Sequence, residues 1–220
     1  MSDPTPDEVA AGHAFYTRRS LAIYDAMILG YFSRLAWRCP AARIRAHYDE
    51  HASANHLDVG PGTGYFLDHC RWPSPTPRLA LLDANAACLD HASKRLARFQ
   101  PERHQASVLD PVEVDVPRFD SVGMNYLLHC LPGTIRSKGV VLANLAPLCE
   151  PGATVFGATL LSGGVRRNWF ARQVMARNNR VGIFSNEHDD LDGLQTMLGE
   201  HLTDVRVDVV GCVGVFSGRV

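Results

Sequence analysis

The run His56-Leu57-Asp58-Val59-Gly60-Pro61-Gly62-Thr63-Gly64-Tyr65-Phe66 constrains this chain more than any other segment. An apolar strand runs into three glycines spaced two apart, and a helix-forming stretch begins near Gly64. Glycine reaches positive φ without steric penalty and lets the backbone come close to a bound group, while a helix start presents unpaired N–H groups. The pattern reads as a strand-to-helix turn shaped around a ligand. Nineteen residues after Gly64, Asp83 ends the apolar run Leu79-Ala80-Leu81-Leu82. A carboxylate at that place can grip ribose hydroxyls. The two features together predict a nucleotide-type cofactor.

Further elements follow in an order that fits an α/β fold. Leu89, Ala92, Leu96 and Phe99 fall on one helical face, Ala106 to Pro111 reads as the next strand segment, and Phe119 to Asn125 as another. A helix is expected from Ile135 to Leu148, a turn at Glu150-Pro151-Gly152 and a strand from Thr154 to Leu161. This is βαβ alternation, which implies a parallel sheet. The alternating runs Val205 to Val210 and Val213 to Ser217, separated by Gly211-Cys212, predict a closing β-hairpin.

The glycine spacing separates two kinds of cofactor. A dinucleotide fingerprint needs Gly or Ala at position 65, and Tyr65 stands there, which argues against a nicotinamide oxidoreductase. With Asp58 two residues before Gly60 and the spacing G-x-G-x-G, the run resembles motif I of the class I S-adenosylmethionine-dependent methyltransferases. The succession Trp37 to Pro40, Asn55 to Cys70, Asn125 to Pro132 and Gly182 to Asn186 is similar, over nearly the full chain, to the small "type 12" group of that class. The resemblance implies an α/β, Rossmann-like fold. Its features are a seven-stranded, mostly parallel sheet with an antiparallel last strand, helices on both faces and an N-terminal helical lid.

Length and charge agree with that reading. The 220 residues suit one large α/β domain. It divides into an N-terminal tail and lid helices (1–51), a cofactor-binding core (52–161), a substrate-side insertion (162–190), and the last helix with the C-terminal hairpin (191–220). The formal net charge is −1 and basic residues are scattered, so nucleic acid is not an expected partner. No apolar run is long enough to span a bilayer and no signal peptide opens the chain, so a cytoplasmic protein without a membrane partner is expected. The six cysteines form no C-x-x-C pair and read as reduced, mostly buried thiols. A monomer or a homodimer is compatible with the sequence.

Two segments outside the core are candidates for building an acceptor pocket. Met1 to Asp7 reads as a disordered tail. From Ala14 to Trp37, Leu21, Tyr24, Ile28, Phe32 and Leu35 recur at helical steps until Cys39-Pro40 stops the helix, and a second helix is expected from Ala41 to His51. Helices placed before motif I close over the cofactor in the methyltransferases that this chain resembles, which makes Phe15, Tyr16, Tyr24, Tyr31 and Trp37 lid candidates. Tyr16 and Tyr24 lead, and packing onto the core is the competing role for such rings. The stretch Ser162 to Asp190 is too long for a plain connector. It contains a helix expected over Asn168 to Asn178 and brings Trp169 and Phe184 as substrate-binding candidates.

Site residues follow from the resemblance position by position. It implies Asp58 for backbone support or the methionine amino group, Gly60, Gly62 and Gly64 for the turn, and Asp83 for the ribose hydroxyls. Ala84 and Asn85 would flank the adenine, Leu109 would lie against the ring and Asp110 would accept from its amino group. Asp110 has a competing role as a turn residue before Pro111. Asn125, at the end of its strand, joins the cofactor set. In Asn125-Tyr126-Leu127-Leu128-His129-Cys130-Leu131-Pro132, His129 is the candidate general base and Tyr126 a candidate for orienting acceptor or cofactor, with a structural role for His129 as the competitor.

The implied activity is transfer of a methyl group from S-adenosylmethionine, leaving S-adenosylhomocysteine, to an O, N or S atom of a small molecule by direct in-line displacement. Tailoring of secondary metabolites is the expected setting. The alternative is a catalytically silent S-adenosylmethionine-binding or scaffold protein of the same fold. One rival motif, His47-Tyr48-Asp49-Glu50-His51, spells the H-x-x-E-H of inverted zinc peptidases. A catalytic zinc needs a third protein ligand and an open position, none is identifiable from spacing, and no metal is assigned.

Overall fold

The computed structural model describes residues 25–220. The expected tail, the helix from Ala14 as far as Tyr24, and with them Phe15, Tyr16 and Tyr24, lie outside the described residues. A π-helical stretch (Asp25–Phe32) and a short helical turn (Ser33–Leu35) lead to the bend at Cys39-Pro40, where a residue before proline is driven out of helical geometry. Then follow α1 (Ala41–His51), β1 (Asn55–Val59), α2 (Tyr65–His69), β2 (Arg78–Asp83), α3 (Ala86–Arg95), β3 (Glu102–Gln105) and β4 (Phe119–Asn125). The second half comprises α4 (Val140–Leu145), β5 (Cys149–Leu160), α5 (Trp169–Arg180), α6 (Leu191–His201), β6 (Thr203–Val210) and β7 (Val213–Arg219).

The seven strands form one sheet in the order β3-β2-β1-β4-β5-β7-β6. β1 through β5 pair in parallel, and β7 runs antiparallel to both of its neighbours. This is the Rossmann-like sheet with an antiparallel last strand that the motifs imply. The direction of winding reverses between β1 and β4, and open α/β sheets bind ligands at the carboxyl ends beside such a reversal.

Alternation along the strands divides the core between two layers. Leu57 and Val59 of β1, with Leu82 of β2 and Met124 of β4, pack with α4 and α6 through Val141, Leu145, Leu194 and Met197. Leu79 and Leu81 of β2, with Phe156 and Ala158 of β5, face the other way and meet Ile44 of α1, Leu89 and Ala92 of α3 and Met175 of α5. Strands covered on both faces must be apolar on both, which is why β2 reads as an unbroken hydrophobic run.

Two expectations need correction. The third strand is Glu102–Gln105, paired with Ala80 through Asp83, whereas residues 106 to 110 form the turn that follows it. This strand lies at the sheet edge with a single neighbour, so its polar sequence is compatible with pairing that hydrophobic pattern does not reveal. The turn expected at Glu150-Pro151-Gly152 is instead a distortion within β5, which starts at Cys149 and shifts register against β4 between Phe119 and Ser121.

The insertion is held by polar side chains at both ends. The Asn168 side chain caps α5 by accepting from Ala171 N at 2.7 Å and donates to Leu35 O at 2.8 Å. Asn179 and Asn186 exchange hydrogen bonds at 2.9 Å, and Asn186 donates to Leu160 O at the end of β5. Lys138, fully buried, donates to Ser185 O and to Asp189 Oδ2, both at 2.6 Å. Among the described residues, no helix is long and apolar enough to cross a membrane.

Candidate active site

A cleft of about 1200 Å³, counting the space open to solvent, lies at the carboxyl ends of β1, β2 and β4. The glycine turn forms one wall. Gly62 has φ +55°, and a side chain there would meet no atom of the described residues within 4 Å, so among them that flank of the turn is open to the cleft. Gly64, at φ +72°, is needed for a different reason: a Cβ would press on Leu96 at 3.2 Å and on Ala92 at 3.4 Å. The first glycine permits approach by a ligand and the other permits packing of the turn on α3. Gly60 closes the strand end by donating to Leu82 O at 2.8 Å. Helix α2 is only five residues long, so its dipole adds little to anion binding.

Asp58 works from behind this wall. Its carboxylate is buried, accepts from the Tyr48 hydroxyl at 2.7 Å and lies 3.4 Å from His56 Nε2. His56 Nδ1 is in turn 2.8 Å from Ser121 Oγ on β4. Asp58 is absent from the cleft lining, whereas Tyr48 is part of it. Burial, and then the charge and hydrogen bonding of Asp58, hold the Tyr48 hydroxyl protonated well above the ordinary phenol range. The contacts of its carboxylate are thus with the side chains of Tyr48 and His56.

Asp83 ends β2 in the cleft and accepts from Asn85 N at 2.8 Å. Burial raises its pKa to about 6, and Asp58 adds to the rise against the opposing Asn85 bond. A carboxylate so poorly solvated gains from any hydroxyl pair that enters. Ala84 and Asn85 also line the cleft, with the Asn85 side-chain oxygen committed to capping α3 through Ala87 N at 2.9 Å. Further along, Ala106, Ser107, Val108 and Leu109 form the lining. Asp110 does not: it is exposed beyond the turn, and Ser107 is the polar residue that reaches the cleft. No sequence signal distinguished Ser107 from a turn serine.

The carboxyl end of β4 supplies the opposite wall. Asn125 is buried in the lining, and among the described residues neither its amide oxygen nor its nitrogen makes a hydrogen bond of ordinary geometry, although it lies close enough to Tyr48 to favour ionisation of that phenol. Tyr126 follows at φ +59°, a left-handed backbone that a bulky residue adopts only under strain, and its N–H is fixed on Ala158 O at 2.7 Å. Its ring lines the cleft beside Phe66, with Leu127, Cys130, Leu131 and Pro132 continuing the surface.

His129 is not part of that surface. The ring is buried against Phe184, edge to face at 4.8 Å, and Nδ1 accepts from Leu160 N at 3.5 Å. Burial, assisted by the charge of Lys138, lowers its pKa to about 3. The imidazole expected as a general base is therefore neutral, engaged as a backbone acceptor and set back from the cleft lining. Trp169 is 67% exposed at the start of α5 and is not among the residues that line the cleft. Phe184 packs between Trp37 and His129 in the core layer beneath. A contact not foreseen from sequence is Asp25, which accepts from Thr63 Oγ1 at 2.6 Å and pairs with Arg95 at 2.5 Å, so the N-terminal helical stretch is fastened to the glycine turn.

Comparisons with known proteins bear on this geometry. A family model described as "Methyltransferase domain", of type 12, matches residues 57–155. The chain is 40% identical over 209 residues to demethylluteothin O-methyltransferase of Streptomyces thioluteus, covering 95% of this chain and 91% of that protein. It is 36% identical to the physcion biosynthesis cluster O-methyltransferase of Aspergillus chevalieri, covering 99% and 97%. Among solved structures, DhpI in complex with SAH superposes with a TM-score of 0.66 at 17% identity, covering 99% of this chain and 98% of that one.

Proposed function

The chain belongs to the class I S-adenosylmethionine-dependent methyltransferases, in the type 12 methyltransferase-domain family, and from that premise we propose that it methylates a hydroxyl oxygen of a largely apolar small molecule in secondary metabolism. S-adenosylmethionine is the cofactor of this family. The single observation that carries the reading is the cleft itself, where Asp83 and the open flank of Gly62 meet an apolar wall of Phe66, Leu127, Leu131 and Pro132. Oxygen is preferred because the relatives at 40% and 36% identity are O-methyltransferases by name.

The residues present fit the cofactor. Gly62 leaves space that a Cβ would fill, and the buried Asn125 amide has no hydrogen bond of ordinary geometry among the described residues. In the proposed arrangement Asp83 accepts from the ribose hydroxyls, Leu109 covers the adenine, Ser107 and the backbone around Asn85 contact its edge, and Asn125 binds the methionine end. When bound, the cofactor supplies a sulfonium-activated methyl group for one in-line displacement. The chain's part is alignment and exclusion of water, which in favourable intramolecular models supplies roughly 7 kcal/mol or more. Tyr126, held in its strained backbone, fixes the acceptor side of the cleft. Because His129 is withdrawn, the reading favours an acceptor whose hydroxyl is acidic by itself, such as a phenol or enol, over an aliphatic alcohol.

The test is transfer from labelled S-adenosylmethionine to panels of phenols, thiols, amines and aliphatic alcohols. Transfer confined to the phenol or enol panel is the expected result. Transfer confined to thiols or amines overturns the oxygen assignment, and cofactor binding without transfer in any panel favours a silent binder.

A further inference from the structure

The last turn of α1 carries His47, Glu50 and His51, which the sequence left without a metal because no third ligand was identifiable beyond the two histidines. The fold brings the third ligand from within the motif: one ligand atom from each of the three side chains lies within 4.8 Å of the other two. The two imidazole rings meet edge to face with centroids 4.6 Å apart, and His51 Nε2 is 3.9 Å from Glu50 Oε1.

The protonation of His47 can be read from its partner. Its Nε2 is 2.9 Å from Phe216 O, and a carbonyl only accepts, so the proton is on Nε2 and Nδ1 keeps its lone pair. Metal-bound histidines are commonly oriented this way, with the second ring nitrogen donating to a backbone carbonyl. Arg43, Arg206 and Arg219 are close enough to His51 to act on it electrostatically, and they weaken the attraction for a cation. The helix C-terminus, where His51 is the last residue, favours positive charge. Glu50 is exposed and can swing to close the site.

We infer that the last turn of α1 is a binding site for one divalent transition-metal ion, held by His47 Nδ1, His51 and the Glu50 carboxylate, with water completing the coordination. Two imidazoles and one carboxylate suit zinc, nickel, cobalt or copper rather than magnesium or calcium. None of the three residues lines the cleft, so the ion is structural and does not take part in methyl transfer. It would brace the helical turn that places Tyr48 on Asp58, with His47 and His51 both against Phe156 in the sheet.

The test is titration of Zn²⁺ into the untagged full-length protein by isothermal calorimetry, with thermal unfolding followed in parallel. The parent is expected to bind one ion per chain and to unfold at higher temperature with zinc. His51→Ala is expected to lose roughly tenfold or more in affinity, since removing a ligand costs at least as much as disturbing its support, and zinc should no longer raise its unfolding temperature. Glu50→Gln, at an exposed position that does not endanger folding, is expected to weaken binding in the same direction and carries the test if His51→Ala does not fold. Absence of saturable one-to-one binding by the parent overturns the inference. So does undiminished binding by either folded variant.

Discussion

Asp83 illustrates how a single carboxylate sets opposing demands on the fold and on the ligand site. Its folded pKa of about 6 is above the ordinary carboxyl value, so between pH 4 and 6 the unfolded chain holds fewer protons than the folded one. Stability contributed through this group therefore falls as pH rises across that window and stays lower above it, by about 3 kcal/mol. Asp83→Asn should remove this slope and raise the cofactor-free unfolding midpoint at pH 7 in denaturant titrations. The same variant should lose at least tenfold in S-adenosylmethionine affinity, and the parent's affinity should decline as pH drops below about 6. His129 makes the contrasting case. His129→Leu leaves the Leu160 N–H without its acceptor and should cost about 1–3 kcal/mol of stability, while the folded protein keeps a pH–rate profile of unchanged shape. The glycines, Asp83 and Asn125 were legible in the sequence because their placement is decided within a few residues by the strand end and the turn. His129, Asp110, Trp169 and Phe184 were not, because which way each side chain faces is decided by elements distant in sequence, such as β5 behind His129 and Trp37 beside Phe184.

Among the elements, the insertion between β5 and α6 depends most on one buried pair. Lys138 and Asp189 are both fully buried and joined at 2.6 Å, linking the segment before α4 to the end of the insertion. Removing one partner strands a charge in the core, so Lys138→Met should destabilise the protein by about 3–5 kcal/mol, and Lys138→Met with Asp189→Leu should recover much of that loss. Denaturant titration of the two single variants and the double variant measures the coupling. Sequence periodicity located α1 and α5 within a few residues, since both bury one face at helical spacing. It misplaced β3, because an edge strand with one neighbour needs no hydrophobic pattern and is specified by pairing with β2. The anchoring of the N-terminal helical stretch through Asp25 was equally hidden, since an acid, Thr63 and Arg95 reveal no relation until the chain folds.

At the scale of the whole molecule, cofactor binding and folding are linked because the cleft walls come from β1, β2 and β4 together. At a concentration about one hundred times its dissociation constant, S-adenosylmethionine should stabilise the protein by about 2.7 kcal/mol, which for a chain of this size raises the unfolding temperature by roughly 5–10 °C. Asp83→Asn should show a much smaller rise in the same thermal scan. The sheet order was legible through the motifs that imply it, while the two-layer division of the core emerges only when both faces of every strand are assigned. The position of β7 has a consequence for biosynthesis. This strand is inserted between β5 and β6, yet it follows every other strand in the chain. As the polypeptide leaves the ribosome, β5 waits with an open edge until residues 213–219 emerge to pair with it. Pairing of β7 with β5, rather than formation of the glycine turn, is therefore the step that completes the sheet.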